Sequence, residues 1–143
     1  MRRYGATFTW RYSYEEAYVG FRLYFYAAYS RGGEGERVTY TFDGDVDISE
    51  IRLVFDNDMN RKYHNMPFNY PLVETKFKLP KTLIKEYRID GVNTAGEKFT
   101  LAVQDNHQRF VRHNVSWRVR EISFTPISTC GAEDFRLFNF EVK

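Results

Sequence analysis

Three oxygen-bearing side chains at alternate positions, Asp56, Asp58 and Asn60, open the stretch of this chain with the most evident capacity for chemistry. Ca²⁺ takes carboxylate and amide oxygens, and EF-hand loops begin with similar spacing. The sixth position here, glycine in an EF-hand, is Arg61, and the twelfth is Pro67, so an EF-hand is excluded. Two readings stay open: a Ca²⁺ site of another kind, or Asx-turns and capping groups at the end of a strand. No other cofactor is expected.

Directly downstream, Arg61, Tyr63, His64, Asn65, Asn69 and Tyr70 have the composition of a sugar-binding surface. Aromatic faces stack on the apolar faces of pyranoses, while Asn and His satisfy hydroxyl groups. Convergent polar groups in a partly apolar recess are what ligand sites use. The competing reading is a Pro-rich loop that hydrogen-bonds to itself or packs on another domain. Asn106, His107 and Arg109 lie just before or at the start of a strand and are expected to meet this loop at one rim.

Other reactive side chains lack partners in sequence. His64, His107 and His113 form no i,i+4 pair, so nothing favours a zinc site, and each is read as solvated or structural. Cys130, in STCGAED, has no Cys-x-x-Cys partner and no obvious His base, and reads as a structural or incidental thiol. Glycoside hydrolysis needs two carboxylates opposed across a cleft, and no spacing here pairs them. The chain is therefore read as a non-enzyme.

The elements that would hold these loops are strands. Residues 37–42 (RVTYTF) alternate, with Val38, Tyr40 and Phe42 on one side, and Ile51, Leu53 and Phe55 repeat the pattern. Asp43-Gly44 supplies a turn between them. Further strands are expected at 83–89, 97–103, 108–113, 118–125 and 135–142, with Asp90-Gly91 and Ala95-Gly96 as punctuation. Tyr14 to Tyr29 reads as a short helical turn followed by an aromatic strand from Phe21 to Ala27. Gly32-Gly33-Glu34-Gly35 reads as a mobile hairpin tip, and 59–80 as a long ordered connection stiffened by Pro67, Pro71 and Pro80.

Composition agrees. Eleven Tyr, thirteen Phe and two Trp in 143 residues favour half-buried sheet faces. The length suits one domain, with residues 1–35 less clearly assigned to it. The expected fold is all-β: a two-sheet antiparallel β-sandwich with Greek-key or jelly-roll connections. With 21 basic and 19 acidic side chains, charge is too balanced to imply nucleic acid. Arg112, Arg118 and Arg120 are the nearest approach to a basic patch and read as a solvated sheet face. No apolar run of 18 residues suggests a membrane span, and the N-terminus does not read as a signal peptide. The protein is thus expected to be cytoplasmic, or its leader lies outside this chain.

IRLVFDNDMNRKYHNMP at 51–67, LIKEYRI at 83–89, NHQRFVRH at 106–113, and VREISFTPIST followed by FRLFNFEV add a resemblance. From Glu36 onward the chain resembles the C-terminal, galactose-binding-like (discoidin-type) β-sandwich of bacterial FAD-dependent oxidoreductases. The resemblance implies a galactose-binding-like jelly roll, but not the flavin site. No Gly-x-Gly-x-x-Gly follows a strand, and no βαβ unit aims a helix N-terminus at a pyrophosphate. The chain looks like an accessory domain separated from its enzyme, or an independent protein on the same sandwich. Three functions follow: a non-catalytic accessory module contacting another protein domain or a glycan; a carbohydrate-binding protein using the 56–70 loop; and a homo-oligomeric structural protein whose interface is the aromatic stretch Tyr18 to Tyr29.

Overall fold

The computed structural model describes residues 37–57 and 79–143 in full, and the backbone pairing of four short strands before them. Among the described residues there are nine strands and no helix: β1 (Gly5–Phe8), β2 (Glu15–Val19), β3 (Arg22–Tyr26), β4 (Ala28–Ser30), β5 (Val38–Phe55), β6 (Ile84–Val92), β7 (Lys98–Val103), β8 (Phe110–Thr129) and β9 (Phe135–Val142). Every pairing is antiparallel, in the order β2-β3-β9-β5-β8-β6-β7, with β1 also on β5 and β4 also on β9. The segment expected to be a helical turn before the aromatic strand is instead β2, hydrogen-bonded to β3.

The expected turn at Asp43-Gly44 does not reverse the chain. Both halves of β5 pair with β8, which runs unbroken where two strands, 108–113 and 118–125, were expected. The Asp-Gly signal is absorbed in a bulge. Thr41 pairs with Glu121 and Val46 with Val119, so residues 42–45 stand opposite Arg120 alone. Such insertions bend a strand and increase its twist. A second irregularity lies between Ile48 and Glu50. The expectation of two sheets is thus met in part: the fold is all-β and antiparallel, but its hydrogen bonding is continuous through β5 and β8.

Bending lets distant parts of one sheet bury each other. Val38, Tyr40, Phe42, Ile51, Leu53 and Phe55 are all buried, as their alternation implies. Phe55 is 5.3 Å from Tyr87 and 6.1 Å from Phe124, centroid to centroid, although it pairs with neither. Phe140 lies 5.9 Å from Phe124 and stacks on Tyr40 at 5.0 Å. The Tyr40 hydroxyl donates to the Phe140 carbonyl at 2.8 Å, so its one polar group is satisfied within the core. Aromatic pairs of this kind contribute about 0.5–1.5 kcal/mol each beyond area burial.

β6 also runs through its expected punctuation at Asp90-Gly91. Gly91 is there for packing: a Cβ would stand 2.7 Å from Val119 Cγ1 and 3.3 Å from Trp117 Cε3. The turn falls one step later, where the Asn93 and Glu97 backbones pair and Gly96 takes φ +82°. On the other face of β8, Arg112, Arg118 and Arg120 are exposed, as a solvated sheet face requires.

Candidate functional site

The end of β5 is fixed from both sides. The Phe55 amide donates to the Arg109 carbonyl at 2.8 Å, and the Asp56 amide to the Arg136 carbonyl at 3.5 Å. Asp56 is only 5% exposed, and its Oδ2 lies 3.1 Å from Arg136 Nη1. Arg136 also holds Asp134, Nε to Oδ2, at 2.6 Å. These two carboxylates push the Arg136 guanidinium pKa above its ordinary value. Of the three oxygen donors considered for Ca²⁺, Asp56 therefore serves an ion pair that closes the strand end. Asp58 and Asn60 lie outside the described residues. Among the described residues no group of three or more His, Cys, Asp or Glu could hold a metal ion.

Asn106 organises the opposing loop. It is buried, and its Nδ2 donates to the carbonyls of Ile84 (2.8 Å) and Gln108 (2.9 Å). Its Oδ1 accepts the Gln108 amide at 3.1 Å, and its own amide donates to the Lys85 carbonyl at 2.8 Å. Two of these bonds tie the loop to β6 and two close it on Gln108. Asn106 is thus an anchor, while His107 and Arg109 face solvent. The remaining candidate ligands, Arg61, Tyr63, His64, Asn65, Asn69 and Tyr70, lie outside the described residues, as do the loop at 59–78 and the glycines at 32–35. Their chain departs at Asn57, next to the Arg109 loop.

Two exposed aromatics complete this end and were not foreseen. Phe110 is 50% exposed and Phe138 36%. The Arg109 guanidinium lies 6.0 Å from the Phe138 ring centroid, and that of Arg112 5.9 Å from Phe110. β5 separates β8 from β9, so the contact of Arg109 with Phe138 crosses β5. A regular strand would turn Phe138 inward with Phe140 and Val142. Instead Val54 pairs with Asn139 and Phe55 with Leu137, which leaves Phe138 as the extra residue. The bulge buries Leu137, Phe140 and Val142 and expels Phe138. No signal in FRLFNFEV alone marks it.

His113 belongs to the interior. Its Nε2 lies 2.8 Å from the hydroxyl of fully buried Tyr87. Burial pushes the Tyr87 phenol pKa well above its ordinary value and the His113 imidazole pKa down. Both shifts favour the neutral forms, and the imidazole tautomer sets which of the two donates. Cys130 is half-buried and its thiol pKa is raised, chiefly by burial, which opposes thiolate formation. A shallow groove of about 270 Å³ crosses the outer face of β6–β8, lined by Arg37, Arg88, Asp90, Thr100, Glu121 and Ser123 among others. Asp90 is already occupied there by Arg88 and Thr100, at 2.7 and 2.9 Å.

No family model and no curated relative matches the chain. Several solved structures share its fold. The family 32 carbohydrate-binding module from Streptococcus pneumoniae EndoD superposes with TM-score 0.53 at 9% identity, over 75% of this chain and 68% of that one. A Streptococcus pneumoniae fucose-binding module gives 0.54 at 8% identity, over 81% and 68%. A third structure, GH31 CBM32-2 bound to GalNAc, gives 0.56 at 10% identity, over 85% and 75%. At such identities the likeness establishes a carbohydrate-binding-module-like β-sandwich fold and nothing about ligands.

Proposed function

We propose that this chain is a non-catalytic glycan-binding module, a single two-layered jelly roll whose ligand meets the end carrying His107 and Arg109. The observation that carries the reading is the loop at 104–109. Its backbone is clamped by Asn106, yet it holds His107, Gln108 and Arg109 in solvent beside the point where the 58–78 segment departs. A rigid frame presenting exposed donors next to exposed rings suits ligands rich in hydroxyls, because little ordering entropy is lost on binding. Arg61, Tyr63, His64, Asn65, Asn69 and Tyr70 would supply the facing wall. The fold's likeness to modules described as binding fucose or GalNAc supports this choice over a purely structural role.

A Ca²⁺ ion held by Asp58 and Asn60 would act as a brace for the same loop. The narrower kinship, with the C-terminal sandwich of FAD-dependent oxidoreductases, rests on the sequence stretches quoted above and implies service beside a separate catalytic domain. The deciding experiment is a glycan array followed by calorimetry on the intact protein. Binding to a sugar that is weakened by His107→Ala and Arg109→Ala supports the proposal. Failure to bind any glycan overturns it and leaves protein–protein packing as the reading to pursue.

A further inference from the structure

We infer that the sugar this end selects is an acidic one, its carboxylate paired with Arg109 and its ring laid on Phe138 and Phe110. The inference rests on the glycan reading and narrows its ligand class. Arginines around this end differ in their company. Arg52 lies beside Glu50 and 3.8 Å from Glu141, Arg112 is 3.7 Å from Glu50, and Arg136 holds Asp56 and Asp134. Arg109 has no carboxylate within ion-pair distance among the described residues; its recorded contact is the Phe138 ring. The nearest carboxylate on its own loop, Asp105, faces Lys85 at 4.0 Å.

At 6.0 Å from the Phe138 centroid the guanidinium is within cation–π range, and its N–H donors have no carboxylate partner among the described residues. Those donors match a carboxylate bidentately, in a geometry that hydroxyl groups do not reproduce. Cation–π contact with Phe138 also holds the long side chain over β5, so less rotamer freedom is lost when a ligand arrives. Phe138 beside it, and Phe110 next in the chain, expose apolar surface of pyranose size. A cation with no carboxylate partner among the described residues, beside an exposed ring, fits a pyranose bearing a single carboxylate.

Hexuronates and sialic acids share that chemistry, and two matched pairs separate them: digalacturonic acid against its carboxyl-reduced form, and sialyllactose against lactose. Calorimetry on the whole protein at low salt should give an acidic member at least tenfold tighter than its neutral twin. Arg109→Gln should abolish that preference, Arg109→Lys should restore part of it, and added NaCl should erode it. Preference within one pair only identifies the source of the carboxylate. Equal binding of acidic and neutral members, unchanged in Arg109→Gln, overturns the inference and leaves the glycan reading standing. Silence of all four sugars together with a silent glycan array overturns both. An unchanged melting temperature in Arg109→Gln keeps loss of fold out of the comparison.

Discussion

The bulge inside β5 and the strand's Phe55 end treat their polar groups in opposite ways. At the bulge, Asp45 accepts the Thr94 amide at 2.9 Å and the Thr94 hydroxyl at 2.7 Å. Beside it Asn93 and Glu97 bind each other through side chain and backbone. The bulge, which forms the closed end of this contrast, spends its hydrogen bonds on itself; the Phe55 side is the open end. At Phe55 the chain hides its anchors, Asp56 and Asn106, and sets Arg109, His107, Phe110 and Phe138 outside. Self-satisfied groups make a scaffold. Groups held rigidly and left exposed are those the proposed binding would use, and the contrast supports that proposal independently of any relative.

The comparison breaks most readily at its anchor. Asn106→Ala removes the bonds to Ile84 and Gln108 and strands buried backbone groups, at a cost of ~3 kcal/mol in urea unfolding. It should also speed amide exchange at Gln108; protection equal to wild type would mean the open end is not pinned by this side chain. Gly91→Ala, near the closed end, forces a methyl group against Val119 and Trp117 and should cost ~2 kcal/mol by overpacking, with glycan affinity of the folded protein unchanged. Loss of affinity there would show that the two ends are coupled.

Smaller effects sharpen the contrast. Bonds from Thr94 hold the Asp45 carboxyl pKa below its ordinary 3.8. A pKa lowered on folding stabilises above the unfolded value, and the contribution fades as pH falls from near 3.8 through the lower folded value. Acid unfolding curves of wild type and Asp45→Asn should therefore separate above that window and converge below it. Parallel curves would remove Asp45 from the closed end's account. Last comes Arg109→Ala, whose side chain is exposed and whose recorded contact is one ring. Thermal and urea unfolding should move by no more than ~0.5 kcal/mol while ligand affinity falls. A large stability loss would make Arg109 part of the scaffold.

Strands were legible where alternation reports burial directly. Val38, Tyr40 and Phe42, and again Ile51, Leu53 and Phe55, are buried in the pattern their spacing requires. What alternation cannot report is register, which belongs to two strands at once. Asp43-Gly44 is a turn signal by composition, yet β8 pairs on both sides of it and converts it to a bulge. Phe138 was hidden for the same reason, since only its pairing with β5 shows that the alternation slips there. At the candidate site, His107 and Arg109 were legible as polar residues flanking a strand. Asn106 was grouped with them, although its side chain turns inward to the backbone, because Asn suits either role.

The unbroken pairing of β5 with β8 also bears on how the chain acquires its shape. Val54 and Phe110 are 56 positions apart (110 − 54), whereas Val38 and Phe124 are 86 apart (124 − 38). Closing the shorter circuit costs less chain entropy, though the difference grows only logarithmically. Zippering is therefore favoured to begin at the Phe110 end and proceed towards Val38, pausing where residues 42–45 must be accommodated opposite Arg120. With so few local pairings to begin from, this is an architecture that assembles slowly for its size.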